Sequence, residues 1–326
     1  MQSVHEPVLL HEAVKALIHD PGFRIHESGK TPWYIDGTLG GAGHALAIAQ
    51  ALEGRLGIIG LDRDQTAIDR AEAALKGKAE HVILECANFR DMDKILDKQG
   101  INKVDMILLD LGISSDELES SGRGFSFMKD EPLEMTMGDP ASYPFTAKDI
   151  VNGWKEEDIA NVIFAYGEER YARRIAKAIV GYRQKKPIET STELAELVKL
   201  SVPFVYRRGK IHPATKTFQA LRITVNDELA ALKEGLSQGY GRLGAGGTMA
   251  VISFHSLEDR IVKDFFKQKS KTDGAEISKK PIRPSQEEVS TNPRSRSAKL
   301  RTISKAKISN IKDQDPNTKN QIPNIK

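Results

Sequence analysis

The first third of the chain alternates short apolar runs with segments of helical periodicity. Four runs rich in β-branched residues predict strands: WYID from Trp33, GIIGLD from Gly57, HVILEC from His81 and VDMILLDLG from Val104. The segments between these runs carry apolar residues at helical spacing, and Gly77 and Gly100 fit helix ends. Strands that alternate with helices every ~23 residues predict βαβ units. The pattern indicates an α/β fold with a doubly wound parallel sheet that is buried on both faces.

After residue 115 the pattern becomes helical. Thr146 with Asp149 is a capping box that opens a helix. A buried strand returns at GGTMAVISF from Gly246, and a helix capped by Ser256 with Asp259 follows it. We therefore predict an α/β core in two parts, residues 1–115 and 214–269, interrupted by a helical insertion at 116–213.

The C-terminal region is polar and basic. Between residues 270 and 326 there are 13 Lys and Arg against 6 Asp and Glu, although the whole chain has a net charge of only +3. Pro281, Pro284 and Pro293 predict that no regular element forms here. We divide this region into a basic segment (270–311) and a disordered tail (312–326). The surplus charge fits either a polyanionic partner or a solvated tail.

Four basic residues of this segment lie within ten positions and show no apolar periodicity: Arg294, Arg296, Lys299 and Arg301. This pattern favours contact with phosphates over burial in a core.

Composition excludes several classes of protein. The chain has 326 residues, and 39% of them are hydrophobic, which is enough for a sizeable core. Cys86 is the only cysteine, so disulfides within the chain and cysteine-rich metal sites are excluded, and the scattered histidines give no metal motif. No apolar run is long enough to span a membrane, and the N-terminus lacks the order of a signal peptide. We expect a cytoplasmic protein that binds neither membrane nor metal.

Candidate ligand residues lie at the ends of the predicted strands, where open parallel sheets bind ligands. A glycine-rich turn, Gly40 to Gly43, follows the first strand, and Asp62 ends the second, 19 residues beyond Gly43. An acidic residue at that distance fits a ribose diol. Phe89 follows the third strand and could cover an adenine, and Asp110 ends the fourth. Together these features predict an adenosine-type ligand, although the turn could be only structural and Phe89 could belong to the core.

Two other nucleotide motifs fit less well. Leu46 stands where the dinucleotide fingerprint requires its third glycine, so a nicotinamide oxidoreductase is only an alternative. The Gly-Lys-Thr at 29–31 resembles the end of a P-loop, but Arg24 stands at the position of the first glycine, so that motif is excluded.

Several longer strings are more specific: HEPVLLHEAV, YIDGTLGGAGH, LLDLGISS, RGFSF, YGEERYARRIAKAIV, HPATKTFQALRITVNDEL, ISFHSLEDRIVKDFF and NPRSRSAKLR. In this order they resemble the bacterial ribosomal RNA small-subunit methyltransferase H family, also called MraW. The resemblance runs from about His5 to Arg301. It implies a class I methyltransferase fold with an inserted helical domain, and S-adenosylmethionine-dependent methylation of the exocyclic N4 of a cytidine in the decoding region of 16S rRNA. The partner would be 16S rRNA or the small ribosomal subunit, and a homodimer is compatible with the family.

The resemblance also implies the positions that bind the cofactor. The methionine part lies at Ala42, Gly43 and His44, the ribose at Asp62 and the adenine beside Phe89.

Two further positions complete the implied cofactor site. Asp110 faces the cofactor near the methyl donor. A glutamine that contacts the cofactor in the family is replaced by Glu117, which keeps acceptor oxygens but loses the amide donors. A contact to the ammonium group of the methionine part would survive this replacement.

The catalytic residue is open at this stage. The N4 amine of cytosine is a poor nucleophile, so its hydrogen needs an acceptor. Many amino-methyltransferases provide Asp-Pro-Pro-Tyr at the end of strand four, whereas this chain has Asp110-Leu111-Gly112. Asp110 or a neighbouring carbonyl is the candidate acceptor. His255 could contact substrate or be structural. A binding or assembly module without turnover is the alternative function.

The basic helix at YGEERYARR has two interpretations. It could face RNA, or it could be a solvated helix on which Glu168 and Glu169 pair with the arginines beside them.

Overall fold

The computed structural model describes residues 7–18, 31–113 and 121–306. Its strands form one sheet in the order β3-β2-β1-β4-β5-β7-β6. They are β1 (Trp33–Asp36), β2 (Gly57–Asp62), β3 (His81–Cys86), β4 (Val104–Asp110), β5 (Leu243–Ser253), β6 (Glu276–Ile277) and β7 (Lys299–Ser304). Strands β1 to β5 pair in parallel, and β7 pairs antiparallel with β5 and β6. The four strands predicted in the first third, and the doubly wound class I methyltransferase fold, are confirmed.

The helices surround this sheet and build a separate layer beyond it. They are α1 (Leu10–Ile18), α2 (Gly43–Ala51), α3 (Gln65–Leu75), α4 (Met92–Lys98), α5 (Ala147–Gly153), α6 (Glu156–Gly167), α7 (Ala172–Arg183), α8 (Ser191–Ser201), α9 (Phe204–Arg207), α10 (Thr215–Asn226), α11 (Glu228–Arg242), α12 (Ser256–Asp273) and α13 (Gln286–Thr291). Among the described residues, no helix is both long and apolar enough to cross a bilayer.

Alternation along the central strands fills both faces of the sheet. On one face Tyr34 and Ile58 pack with α1, α2 and α3. On the other face Ile35 and Ile59 pack with α4, α11 and α12. Successive side chains of a strand point to opposite faces, so continuous apolar runs are required to bury both sides. This arrangement leaves the carboxyl edge of the sheet free to form a site.

A third apolar cluster holds the helices after β4 together. It contains buried residues from Phe125 to Val225, with α5 to α8 and α10 contributing most of them. Helix α10 packs here through Phe218 and Leu221, whereas we expected the α/β core to resume at residue 214. The apolar face of α10 fits the helical cluster, so a division after α10 agrees better with the packing than one after residue 213.

The prediction that no regular element forms after residue 270 is wrong. β7 joins the sheet beside β5, and Leu300 and Ile303 are fully buried. Both charged residues of this strand pair with the same carboxylate: Arg301 donates to Asp259 Oδ1 at 2.7 Å, and Lys299 donates to Asp259 Oδ2 at 2.9 Å. The phosphate-contact interpretation is therefore wrong for Lys299 and Arg301. Their charge is neutralised in ion pairs with Asp259, and the two apolar residues of the strand, Leu300 and Ile303, pack on opposite faces of the sheet, so the sequence shows no alternating pattern.

Arg301→Ala should destabilise the protein by about 2–4 kcal/mol, because it leaves the largely buried Asp259 without its closest partner. Burial opposes ionisation of Asp259, but Arg301 and Lys299 outweigh it and hold the pKa of Asp259 below its usual value. The stabilisation is thus complete above the unfolded-state pKa and is lost as the pH falls through the lower folded-state pKa. Urea unfolding at pH 7 and at about pH 3 measures both effects.

The matched control is Arg296→Ala, since Arg296 is exposed on the neighbouring 3₁₀ turn. We expect this control to change the unfolding free energy by less than about 0.5 kcal/mol. Equal stability of the two variants would contradict the structural role of Arg301.

Candidate functional site

The turn after β1 positions backbone groups at the carboxyl edge of the sheet. Gly40 has a φ of 48° and Ala42 a φ of 61°, and α2 begins directly after them. Gly40 N–H donates to Asp62 Oδ2 at 2.8 Å, so β2 fixes the shape of the turn. A Cβ atom added at Gly41 would meet no atom within 4 Å. The turn therefore borders open space, and the first N–H groups of α2 are suited to a polar ligand there.

Asp62 organises this edge through both of its oxygens. Besides the bond from Gly40, its Oδ1 accepts from Asp64 N–H at 2.9 Å. Burial raises the pKa of Asp62, and these backbone donors partly offset that effect. A carboxylate has about four acceptor positions, so Asp62 can hold the turn and still accept hydrogen bonds from a diol. The predicted ribose position is compatible with this geometry.

His44 faces away from the edge. Its ring is buried, and its Nε2 lies 3.2 Å from the carbonyl oxygen of Val8. Burial lowers the pKa of His44 to about 4, so the ring is neutral. Pro7 packs over Gly43, where an added Cβ would lie 2.3 Å from its Cγ. Residue 44 can therefore contact a ligand only through its backbone, and its side chain docks the N-terminal segment.

The structure agrees in part with both interpretations of Phe89, as a core residue and as a cover for an adenine. It begins a 3₁₀ turn after β3, and its half-buried ring packs against α11. At Gly235 an added Cβ would lie 2.5 Å from Cδ2 of the ring. The face of the Phe89 ring that contacts α11 thus belongs to the core. The part of the ring that stays exposed is where a base could pack.

Two carboxyl groups lie at the ends of the neighbouring strands β1 and β4. Asp36 accepts from Tyr34 Oη at 2.9 Å and from Thr38 N–H at 3.2 Å, and burial raises its pKa to about 6. Burial raises the pKa of Asp110 to about 7, with Asp36 and Glu258 contributing by like-charge repulsion. Within the described part of the chain, Asp110 Oδ1 is buried and has no hydrogen-bond partner. An acceptor without a partner in this position fits a ligand donor.

The helical layer closes over the end of β2 through residues that the sequence analysis missed. Arg123 donates to the carbonyl oxygens of Thr136 at 2.7 Å and Gly138 at 3.0 Å, and to Asp64 Oδ2 at 3.1 Å. Arg63 donates from the sheet side to the carbonyl oxygen of Asn226 at 3.1 Å. The strings RGFSF and ITVNDEL contain Arg123 and Asn226, but no pattern in them reveals which strand end they contact.

A second polar group lies at the end of β5. His255, not Ser256, caps α12: its Nδ1 accepts from Glu258 N–H at 3.4 Å. The predicted Ser256–Asp259 box is therefore wrong by one residue, and Asp259 is free to pair with β7. Burial opposes ionisation of Glu258, yet His255 and Arg222 lower its pKa.

Three residues here could in principle ligate a cation. Ligand atoms of Glu228, His255 and Glu258 lie within 4.8 Å of one another. However, Arg222 donates to both oxygens of Glu228 at 2.8 Å. A guanidinium at this distance repels a cation and occupies the carboxylate, so we assign no metal to this group.

The segment YGEERYARR is not the single helix expected from the sequence: it contains the end of α6, a turn at 168–171 and the start of α7. It borders a cavity of about 500 Å³ in the helical layer. Both of its glutamates bond to other elements rather than to the arginines beside them. Glu168 bonds to Ser256 and to Arg260, which links the turn between α6 and α7 to the start of α12. Glu169 is fully buried and accepts from Tyr206 Oη at 2.6 Å.

The mouth of this cavity combines positive charge with aromatic rings. Arg170 lies over the rings of Tyr171 and Tyr206, at 4.7 and 5.2 Å from their centroids. Lys210 and Lys216 line the same cavity. Glu117, the last of the expected cofactor residues, lies outside the described residues.

The chain resembles one family along almost its whole length. The family model described as the MraW methylase family matches residues 2–306. The chain belongs to the MraW methylase family. It is 46% identical over 309 residues to the ribosomal RNA small subunit methyltransferase H of Deinococcus deserti, covering 94% of each chain. It is 47% identical to the protein of the same name from Deinococcus radiodurans, covering 93% of this chain and 90% of the relative. Membership of a methylase family removes the oxidoreductase alternative.

A third relative extends this comparison to another genus. The ribosomal RNA small subunit methyltransferase H of Brevibacillus brevis is 44% identical over 317 residues, covering 92% of this chain and 98% of the relative. Since the family match spans residues 2–306, it includes the helical layer and β7 as well as the parallel strands.

Proposed function

We propose that this methylase uses S-adenosylmethionine to methylate N4 of a cytidine in the decoding region of bacterial 16S rRNA, in the cytoplasm. The observation that carries the proposal is Oδ1 of Asp110 at the end of β4, which is buried and has no hydrogen-bond partner among the described residues, beside the open turn that Asp62 holds. The name that the relatives share, ribosomal RNA small subunit methyltransferase H, supports the substrate class.

The cofactor would occupy the edge between β1 and β4. Asp62 would accept from the ribose hydroxyls, and the backbone at Ala42, Gly43 and His44 would border the methionine part. Phe89 would cover the adenine, and Glu117 would accept from the ammonium group. When bound, the cofactor supplies a methyl group attached to a positively charged sulfur. The residues of the chain supply orientation and exclude water.

Asp110 would act on the base. Its carboxylate accepts a hydrogen bond from N4, which raises the electron density available on the nitrogen and holds it in line with the methyl group. The bound cofactor would supply the methyl group and keep the electron pair of the bond that is broken, and the N4 proton would pass to Asp110 as the nitrogen takes up the methyl group. The proton then leaves to water, so the carboxylate is ready for another turnover. The raised pKa of Asp110, about 7, matches this exchange near neutral pH.

The base must leave its stack to reach the sheet edge, which suits a single-stranded or distorted rRNA site. The cavity beside Arg170 supports this proposal, because cationic and aromatic groups together bind phosphates and unstacked bases. Glu168 connects the cavity region to α12, whose first turn lies at the end of β5. An RNA strand held at the cavity would therefore continue toward the strand ends.

The double variant Arg170→Ala, Lys210→Ala should weaken substrate binding and flatten its salt dependence by about 0.7 log units for each phosphate that is no longer neutralised. Affinity for small ribosomal subunits between low and high salt measures this slope. Cofactor affinity should be unchanged, since both residues lie in the helical layer.

The matched control is Lys76→Ala, Lys78→Ala. Both lysines are exposed at the end of α3, on the edge of the sheet opposite the strand ends. An equal decrease of slope in both double variants would mean that the cavity makes no particular contact with RNA.

A direct test of the function is transfer of a labelled methyl group to small ribosomal subunits, compared with naked 16S rRNA. A protein that binds the cofactor and the subunit but transfers nothing would support the assembly-module alternative.

A further inference from the structure

Two buried polar atoms without partners lie at the ends of adjacent strands. One is Asp110 Oδ1 at the end of β4, and the other is His255 Nε2 just beyond β5. The strands pair in parallel with Asp110 opposite Ile252, three residues before His255. Neither atom has a hydrogen-bond partner in the ranges that the structure describes. Buried polar atoms are nearly always satisfied, so a pair of exceptions at one edge points to a ligand.

The contacts of His255 determine which of its nitrogens carries a proton. Nδ1 accepts from Glu258 N–H in the cap of α12, at 3.4 Å. A nitrogen that accepts has no hydrogen of its own, so in a neutral imidazole the proton must lie on Nε2. Nε2 is therefore a donor, whereas Asp110 Oδ1 is an acceptor once its carboxyl group is ionised.

The surroundings hold this ring rigidly. Glu258 Oε2 accepts from Phe254 N–H at 2.8 Å and from His255 N–H at 3.2 Å. Its Oε1 lies 3.1 Å from His255 Nε2 but outside hydrogen-bond geometry, so this contact is electrostatic. The ring is thus fixed by the backbone of α12, and its donor is preorganised.

We propose that His255 reads the target base by donating from Nε2 to N3 of cytosine, while Asp110 accepts from N4. The inference rests on the proposed function and adds a residue that determines base specificity. N4 is a donor and N3 an acceptor on the same edge of cytosine. Asp110 at the end of β4 offers the acceptor that N4 needs, and His255 after β5 offers the donor that N3 needs.

The same pair disfavours uracil. Uracil presents an acceptor, O4, where cytosine presents N4, and a donor, N3–H, where cytosine presents an acceptor. O4 would therefore face the Asp110 carboxylate, and N3–H would face His255 N–H. A site built to bond to one pattern rejects the other strongly, because its buried groups are left unpaired.

Two substitutions separate this role from capping. His255→Asn keeps an acceptor close to the position of Nδ1, and asparagine is a favoured N-cap residue, so the fold should keep its stability. His255→Gln places an amide N–H near the position of Nε2 but loses the cap. Thermal unfolding of both variants shows which of them retains the cap.

The second part of the test varies the substrate. Methyl transfer is measured with small subunits reconstituted with cytidine or 3-deazacytidine at the methylated position, and the analogue replaces N3 by C–H. In the wild type the analogue should lower kcat/KM by about 5- to 50-fold, the range for one specific base contact. His255→Asn should lose a similar factor with cytidine and be insensitive to the analogue, within about twofold. His255→Gln should remain sensitive to the analogue despite its lower stability.

An equal penalty for the analogue in the wild type and in His255→Asn would overturn the proposal, since another group would then contact N3. Insensitivity of the wild type would overturn it as well. Failure of the proposed function is distinguishable, because in that case the wild type would transfer no methyl group to subunits that carry ordinary cytidine.

Discussion

Asp110→Asn should lower the rate of methyl transfer by about 10²- to 10³-fold at pH 8. The amide has nearly the shape of the carboxyl group, but it carries no charge and cannot take up the N4 proton. Its effect should therefore fall on kcat, while the KM for RNA changes little. Single-turnover transfer, with the protein and the cofactor in excess over the RNA, measures the chemical step directly.

The pH dependence of the wild-type methyl-transfer rate tests the role of Asp110 independently. Burial, with Asp36 and Glu258 nearby, raises the pKa of Asp110 to about 7. Only the carboxylate accepts a proton, so the rate should rise with pH up to about 7 and then level off. In Asp110→Asn this rise should disappear.

Stability should change in the opposite direction from activity. A carboxyl group with a raised folded-state pKa destabilises the protein above that pKa, and the penalty is relieved as the pH falls toward the unfolded-state value. Asp110→Asn removes the penalty, so it should stabilise the protein at pH 8 by roughly 1–4 kcal/mol. A variant that loses activity together with stability would indicate a damaged fold rather than a missing acceptor.

Asp62→Ala should weaken S-adenosylmethionine binding by about 10- to 150-fold, from the loss of a charge-assisted bond to the ribose. The upper part of this range is expected, because Asp62 also holds the turn through Gly40 N–H and Asp64 N–H. Isothermal titration with the cofactor measures the effect. The turn would relax in the variant, so the entropy of binding should also become less favourable.

The control for this change is Asp69→Ala on the exposed side of α3, which bonds to Gln65 and lies outside the site. It should bind the cofactor with wild-type affinity. If Asp62→Ala also binds with wild-type affinity, the ribose does not lie at the end of β2.

The sequence was informative where one physical signal dominated. Buried parallel strands need continuous apolar runs, and β1, β2 and β4 have them, so their positions were predictable. β3 lies at the edge of the sheet and is half-exposed, but its run of Val82, Ile83 and Leu84 still predicted a strand. The strand-end positions of Asp62 and Asp110 followed from the same rule, since the carboxyl ends of parallel strands meet at one edge.

The sequence was misleading where charge and geometry interact over long distances. In β7, Arg301 interrupts the apolar pattern because Asp259, 42 residues away, neutralises it. For His255 the sequence left a substrate contact and a structural role equally open, because histidine is not among the favoured N-cap residues. Arg123 reaches Asp64 across 59 residues, and no local pattern reveals such a contact.

The most direct test of the account is the chemical identity of the methylated nucleoside. Small ribosomal subunits that lack the modification are incubated with the protein and S-adenosylmethionine labelled in its methyl group. The 16S rRNA is then digested and its nucleosides are resolved by mass spectrometry. The account predicts label in N4-methylcytidine at a single position of the decoding region, and loss of that label with Asp110→Asn. Label in another nucleoside, or full labelling with Asp110→Asn, would contradict it.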